Sequence, residues 1–204
     1  MKELEDDGAN NINLVTPTHF YNQIIKALSQ YKPSVPVVYN CCGYESENSI
    51  EALSKYIDVF LVDFKYINSD TAKKYSHAAD YPDIAIKAIK KMIALKGKAQ
   101  YDKMGIMTNG VIIRHLVLPS HIKESIQILE YIKENFTDAI PSVMLQYVPM
   151  GKAKNYPEIN RTLNKLEIKT ITAAVNRLDF AEGFIQDVSA ADPKYIPDFD
   201  LTGV

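Results

Sequence analysis

The sequence is poor in cysteine, and this scarcity limits the metal and redox chemistry it can support. Its 204 residues contain two cysteines, Cys41 and Cys42, side by side in the stretch VVYNCCGYE. Adjacent cysteines could bridge only through a strained ring, so they predict no disulfide framework. Two thiols are also too few for a tetrahedral zinc or an iron–sulfur cluster, and no histidine stands at zinc-ligand spacing from them. We interpret them as half-buried thiols at a strand end.

Long apolar runs are absent as well. No stretch approaches the roughly 18 apolar residues of a membrane span, and the opening MKELEDDGANN is too acidic and polar for a signal peptide. The composition is 47% hydrophobic and 24% charged with a net charge of −2, so nothing global favours nucleic-acid or membrane partners. We therefore expect a cytoplasmic protein that forms a single domain over residues 1–204.

Short apolar runs alternate with helical patterns, which is typical of βαβ units with right-handed crossovers. Most runs are continuous rather than alternating, which predicts strands buried on both faces of a parallel sheet. Strands are predicted at residues 12–16, 35–40, 59–65, 111–118, 142–148 and, more weakly, 183–187. Helices are predicted at 18–31, 49–57, 69–76, 80–95, 121–136 and 158–178, with a long loop at 96–108.

Two α/β architectures fit this order: an open doubly wound sheet, and a barrel or partial barrel. No G-x-G-x-x-G follows a strand, which argues against dinucleotide binding. Five or six strands are too few for an eight-stranded barrel. The opening MKELEDDG has the pattern of a helix end with Gly8 as its cap, and no strand precedes it. We therefore hypothesise that a first βα unit is missing.

Polar residues stand at the ends of the predicted strands, where sites form in parallel α/β folds. Asp63 and Lys65 are two apart in a strand and share a face, and charges in an apolar strand are costly unless paired or bound to a ligand. They form either a structural ion pair, in which Arg114 could also take part, or a pocket for a zwitterionic or anionic small molecule, which we favour. The candidate residues are Thr16, Thr18, His19, Asn40, Gly43, Asp63, Lys65, Arg114, Gln146 and Tyr147.

Several stretches, taken in order, resemble the radical S-adenosylmethionine (SAM) superfamily, and within it iron–sulfur proteins related to pyruvate formate-lyase activating enzyme. These stretches are NINLVTPTHF, VVYNCCGYE, VDFKY, KYSHAADYPDIA, VIIRHLVLPSH and LQYVPMGKAKNYPEINR. The resemblance implies a partial (β/α)₆ barrel, a [4Fe–4S] cluster held by a C-x₃-C-x₂-C loop, and SAM bound to the cluster. It also implies reductive cleavage of SAM to a 5′-deoxyadenosyl radical that abstracts hydrogen from a substrate. No C-x₃-C-x₂-C occurs in this sequence, so we expect the C-terminal part of such an enzyme, unable to assemble the cluster alone.

The resemblance also implies roles for the candidate residues. Asp63 and Lys65 match an Asp-x-Lys motif associated with the SAM carboxylate and a monovalent cation, and Arg114 matches a basic residue near the ribose and carboxylate. Gln146 and Tyr147 fall near residues that face the adenosine. Five further residues occupy positions of two other SAM-binding motifs. Thr16, Thr18 and His19 stand at the methionine-amino-group motif, usually Gly-Gly-Glu, while Asn40 replaces the Asp and Gly43 matches the Gly of an Asp-Thr-Asn-Gly turn.

The partners implied are SAM, a glycyl-radical enzyme or other protein substrate, and a reductant such as flavodoxin or ferredoxin. Two alternative functions stay open: a Schiff-base lyase or aldolase that uses Lys65, and a non-catalytic remnant that binds SAM or a protein. An incomplete barrel exposes a strand edge and apolar surface. We therefore expect dimerisation or aggregation through the edge at residues 12–16.

Overall fold

Seven strands form the sheet in the computed structural model of this chain, which describes residues 1–186. The strands are β1 (Ile12–Val15), β2 (Val37–Cys41), β3 (Val59–Asp63), β4 (Gln100–Tyr101), β5 (Met107–Leu116), β6 (Ile140–Met144) and β7 (Phe184–Gln186). Six of them run parallel in the order β1-β2-β3-β5-β6-β7, and β4 pairs antiparallel with β5.

The strand order decides between the two architectures. Each parallel strand lies beside its predecessor in the chain, whereas a doubly wound sheet reverses direction at a switch point. The winding is therefore that of a barrel, and the predicted α/β partial barrel is confirmed. Among residues 1–186, β1 and β7 do not pair with each other, so the barrel is open.

Helices connect the strands, and several begin at residues whose side chains cap them. They are α1 (Lys2–Asp6), α2 (Tyr21–Gln30), α3 (Glu47–Leu53), α4 (Ser69–Ser76), α5 (Tyr81–Lys96), α6 (Ile122–Asn135) and α7 (Lys165–Leu178), with 3₁₀ turns at Thr18–Phe20 and Gly151–Asn155. Ser46 and Asn68 accept backbone N–H groups at the starts of α3 and α4, as N-caps do. Within residues 1–186, every helix is too short or too polar to span a membrane.

The two faces of the sheet differ in burial. One face packs under the helices, where Tyr39, Phe60 and Phe64 are fully buried with Ile50 and Ile89 of α3 and α5. The opposite face carries residues that are only half-buried in β3 and β5: Leu61, Asp63, Ile112 and Arg114. We call this opposite face the site face. Because these side chains are only half-buried among residues 1–186, they are accessible to a ligand.

The segment predicted as a long loop at 96–108 is instead partly a hairpin. Gln100–Tyr101 pairs with the start of β5, which begins at Met107 rather than at 111. The Asp102 carboxylate closes the turn by accepting the N–H groups of Met104 and Ile106 at 2.8 and 2.9 Å. Two residues of strand are too short to give a periodic signal, which is why the sequence pattern did not reveal it.

The last predicted helix starts later than its pattern suggests, at Lys165 instead of 158. Asn164 and Glu167 form a capping box that fixes this start. The residues before it form the 3₁₀ turn and an irregular stretch that crosses to α4 and α6. The weak strand predicted at 183–187 is present as β7, and residue 187 lies outside the described residues.

Candidate functional site

Asp63 is the centre of a charged cluster at the carboxyl ends of three neighbouring strands. It ends β3 and lies in register with Arg114 of β5. Arg114 Nε donates to Asp63 Oδ1 at 2.6 Å, and Lys65 Nζ lies 3.6 Å from Asp63 Oδ2. Arg114 Nη2 donates to Asn40 Oδ1 on β2 at 2.9 Å. The ion pair therefore exists with both partners, and Asn40 fixes the guanidinium plane.

The same cluster opens onto a cavity of about 610 Å³ on the site face. Four predicted residues line it: Asp63, Lys65, Arg114 and Tyr147. The remaining wall is aromatic and apolar with one further lysine, formed by Tyr66, Tyr75, Leu116, Leu118, Met144, Met150, Lys152, Ala153, Tyr156 and Ile159. A mostly apolar cleft with a few charged groups, in the range of about 300–1,000 Å³, is typical of small-molecule sites.

Gly43 and Tyr81 set the position of this charged cluster through contacts with the backbone of Asp63 and Lys65. Gly43 has φ 85°, and a Cβ there would collide with the Asp63 carbonyl oxygen. The Tyr81 hydroxyl lies 2.9 Å from the carbonyl oxygens of both Cys42 and Asp63, and accepts the Lys65 N–H at 3.0 Å. Burial raises the pKa of Tyr81, so its hydroxyl keeps its proton. Gly43 therefore acts through the backbone of Asp63, and Tyr81 is a positioning residue that the sequence patterns did not single out.

The stretch TPTH lies elsewhere. The Thr16 N–H donates to the Asn40 carbonyl at 2.9 Å, which extends the pairing of β1 with β2. The Thr18 hydroxyl donates to Glu45 Oε1 at 2.6 Å, away from the cavity. Glu45 is only 4% exposed, and burial raises its pKa. Thr16, Thr18 and His19 are not among the residues that line the cavity.

Gln146 also lies outside the cavity lining, although its neighbour Tyr147 is part of it. The Gln146 side chain hydrogen-bonds to Gln186 of β7. Its Oε1 atom is buried and finds no partner among residues 1–186. Gln146 therefore connects the end of β6 to β7, and the cavity receives Tyr147 instead.

A segment that we call the strap, residues 150–161, contributes five residues to the cavity wall and is tied to α4. The Lys74 ammonium lies 2.5 Å from Glu158 Oε1, and the Tyr75 hydroxyl donates to the same oxygen at 2.7 Å. These two contacts lower the pKa of Glu158 to about 2. The Tyr156 hydroxyl donates to the Lys74 carbonyl at 2.9 Å. The Tyr75 hydroxyl is also 2.8 Å from His121 Nε2, which links the strap to the start of α6.

The far end of the strap is held by an ion pair. Arg161 donates from two nitrogens to the two oxygens of Glu167, each at 2.8 Å. Glu167 also accepts the Ser120 N–H at 2.8 Å, and the Ser120 hydroxyl donates to the Glu158 carbonyl at 3.1 Å. The side-chain hydrogen bonds from Arg161 lower the pKa of Glu167 to about 2. The predicted helix at 158–178 covers only the last four residues of the strap, and no element is predicted for its first eight.

The cysteines do not fit an iron–sulfur cluster. Cys41 is buried against the helices, and burial raises the pKa of its thiol, with the nearby Glu45 carboxyl adding to the effect. Cluster ligation needs thiolates. Among residues 1–186, no group of three or more His, Cys, Asp or Glu is arranged to hold a metal ion.

A curated protein is similar to this chain in sequence. No family model matches the chain. The chain is 36% identical over 166 residues to the uncharacterized protein MJ0674 of Methanocaldococcus jannaschii. The matched region covers 80% of this chain and 45% of that protein. The chain thus spans about half the length of the curated relative it matches.

Two solved structures share the fold. One is Streptococcus suis SuiB bound to S-adenosylmethionine, with TM-score 0.60 and 15% identity over 96% of this chain and 43% of SuiB. The other is a domain of pyruvate-formate lyase-activating enzyme from Bacteroides vulgatus, with TM-score 0.62 and 9% identity over 87% of this chain and 98% of that domain. The chain therefore has the fold of these two proteins.

Proposed function

We propose that this chain is the SAM-binding part of a radical SAM enzyme related to pyruvate formate-lyase activating enzyme. The observation that carries the proposal is the cluster of Asp63, Lys65 and Arg114, which opens onto a cavity at the carboxyl edge of the barrel. SuiB, which shares the fold, was crystallised with SAM. Asp63 and Lys65 also stand in the Asp-x-Lys stretch on which the resemblance rests.

The cavity residues suit the two ends of SAM. The amino-acid end is a zwitterion, and the cluster offers a carboxylate for its ammonium and two cations for its carboxylate. Asn40 holds the Arg114 guanidinium through Nη2, and the side chains of Asp63 and Arg114 are only 20% and 26% exposed, which strengthens their interaction with a charged ligand. Aromatic side chains such as Tyr66 and Tyr147 offer faces for the adenine ring.

Bound SAM supplies a sulfonium group that is cleaved when an electron donor reduces it. In this proposal the residues of this chain bind and orient that molecule, and Leu116 and Met144 form part of the apolar wall beside it. A [4Fe–4S] cluster would have to be held by cysteines other than Cys41 and Cys42. The reductant and the substrate, a protein or a small molecule, stay predictions.

Calorimetric titration of the chain with SAM tests the proposal. We expect one molecule of SAM per chain and a loss of affinity of at least about tenfold in Asp63→Asn, because a charged hydrogen-bond partner is removed. Glu134→Gln, which changes an exposed carboxylate on α6, is the matched control and should bind like wild type. Absence of SAM binding by the wild-type chain would overturn the proposal.

A Schiff-base lyase that uses Lys65 is the second candidate, because Lys65 lines the cavity. A Schiff base needs the free amine, whereas the Lys65 ammonium is engaged by Asp63. Borohydride trapping with aldehydes and keto acids, followed by mass spectrometry of the Lys65 peptide, separates the two functions. A Lys65 adduct would favour the lyase, and SAM binding without an adduct favours the SAM-binding function.

A further inference from the structure

Among residues 1–186, the cavity is lined by more positive than negative side chains. Three described cationic side chains line it, Lys65, Arg114 and Lys152, against one described carboxylate, that of Asp63. Asp63 already shares its two oxygens between Arg114 and Lys65. Lys152 comes from a different element, the 3₁₀ turn of the strap, and adds a second cationic position to the cavity.

The carboxylates of the strap and of the start of α7 are engaged by other groups. Glu158 is paired with Lys74 and accepts the Tyr75 hydroxyl, and Glu167 is paired with Arg161. Within residues 1–186, Lys152 forms no ion pair with any carboxylate. The exposed Lys152 side chain is therefore available to a ligand, since no described carboxylate pairs with it.

The strap, which carries Lys152, is anchored by hydrogen bonds and by packing. The Ala153 N–H donates to the Met150 carbonyl within the 3₁₀ turn, and the Tyr156 hydroxyl donates to the Lys74 carbonyl just beyond it. The Tyr156 ring packs edge-to-face on Tyr75 at 5.0 Å between centroids, and Ile159 is buried. Lys152 is thus presented to the cavity from an anchored segment.

We propose that Lys152 forms a second, anion-binding subsite in this cavity, and that the substrate is a small organic anion, a carboxylate or a phosphate ester. This inference rests on the proposed SAM-binding function and deepens it. SAM carries a net positive charge, since its sulfonium and ammonium outnumber its carboxylate. Its binding to Asp63, Lys65 and Arg114 leaves the charge of Lys152 unbalanced, and a bound anion offsets the repulsion between like charges.

The size and the wall of the cavity agree with such a ligand. A volume of about 610 Å³ exceeds the space that a few charged contacts need, and Met150, Tyr75 and Tyr156 offer apolar and aromatic surface for an organic body. Lysine binds carboxylate or phosphate as a compact point charge that tolerates ligands of different shape. A subsite built on Lys152 is therefore expected to select ligands by their charge more than by their shape.

The test measures binding of two probe anions, citrate and inorganic pyrophosphate, to the full chain saturated with SAM at constant ionic strength. Calorimetry should show that an anion binds while SAM stays bound. We expect Lys152→Gln to weaken anion binding about tenfold more than it weakens SAM binding, since one charged partner is lost from one subsite. Lys154→Gln, which removes an exposed lysine from the same 3₁₀ turn, is the matched control and should retain wild-type affinity for both.

Three outcomes would overturn the inference. The first is equal loss of anion affinity in both lysine variants, which would indicate general electrostatic attraction. The second is competition between the anions and SAM, which would place them at Lys65 and Arg114. The third is binding of a glutamate-rich peptide but of neither small anion, which would indicate a protein substrate. SAM titrations of the same preparations report separately on the proposed function.

Discussion

Asp63 and Arg114 lie in register on adjacent parallel strands, and Arg114 Nε donates to Asp63 Oδ1 at 2.6 Å. The same guanidinium donates through Nη2 to Asn40 on β2, the strand on the other side of β3. One arginine thus ties the carboxyl ends of β2, β3 and β5 while it faces the cavity. The Arg114 side chain contributes to fold stability and also lines the cavity that we propose binds SAM. Its replacement should therefore affect both stability and ligand binding.

The first prediction concerns Arg114→Met. It leaves the Asp63 carboxylate with Lys65 alone and the Asn40 amide without its donor, so we expect a loss of about 1–2 kcal/mol in the free energy of unfolding. The loss is moderate because the pair is partly exposed, with 26% and 20% of the two side chains accessible. Urea unfolding followed by circular dichroism measures it. Asn40→Ala should cost less, because it removes only the weaker contact, and an equal loss in both variants would contradict this ranking.

The second prediction concerns Gly43→Ala. Gly43 has φ 85° and sits against the Asp63 carbonyl oxygen, so a Cβ would force apart the turn after β2 and the end of β3. We expect a loss of about 2 kcal/mol or more in unfolding free energy, together with weaker SAM binding because Asp63 shifts.

Gly105→Ala is the matched control for Gly43. Gly105 has nearly the same φ, 80°, but a Cβ there meets no atom within 4 Å. Gly105→Ala should lower the free energy of unfolding by only about 1 kcal/mol, the cost of placing alanine at a positive φ, and leave SAM binding intact. Equal effects of the two substitutions on SAM binding would show that contact with the Asp63 backbone is not what matters.

Part of this site could be predicted from the sequence, because the signals were local. The two-residue spacing of Asp63 and Lys65 predicted a shared face, and both line the cavity beside Arg114. The contact of Thr18 with Glu45 spans 27 positions and has no local pattern. The strap has no local pattern for the same reason, since its residues are held by hydrogen bonds to Ser120 and Lys74, which lie 38 and 82 positions away. Contact between these candidate residues and a bound ligand stays a prediction.

The third prediction concerns acid stability. The pKa of Glu167 is lowered from 4.5 to about 2 by Arg161. A lowered pKa in the folded state means that Glu167 stabilises the fold above the unfolded pKa of about 4.5, and that this contribution is lost as the pH falls toward 2. Urea unfolding at several pH values should show the difference between wild type and Glu167→Gln shrinking over this range. A difference that stays constant would contradict the role of the Arg161 pair.

The fourth prediction concerns the strap. Tyr75→Phe removes the hydroxyl that contacts both Glu158 and His121, while the ring that packs on Tyr156 remains. We expect faster amide hydrogen exchange in residues 150–161 and little change in β5, because only the local tie is lost. A uniform rise in exchange across the chain would indicate global destabilisation and would contradict a local role.

The fifth prediction concerns self-association through β1. The N–H groups of Ile12 and Thr16 donate to the β2 side, so the alternation along the strand points the Asn13 N–H away from the sheet. No described strand pairs with that edge, and Val15 beside it is 67% exposed. Such an edge is a template for a second copy, so sedimentation velocity at rising concentration should show a dimer. Asn13→Pro removes the outward donor without touching the β2 contacts, and it should shift the chain toward monomer. A wild-type chain that stays monomeric at high concentration would show that the edge is not used.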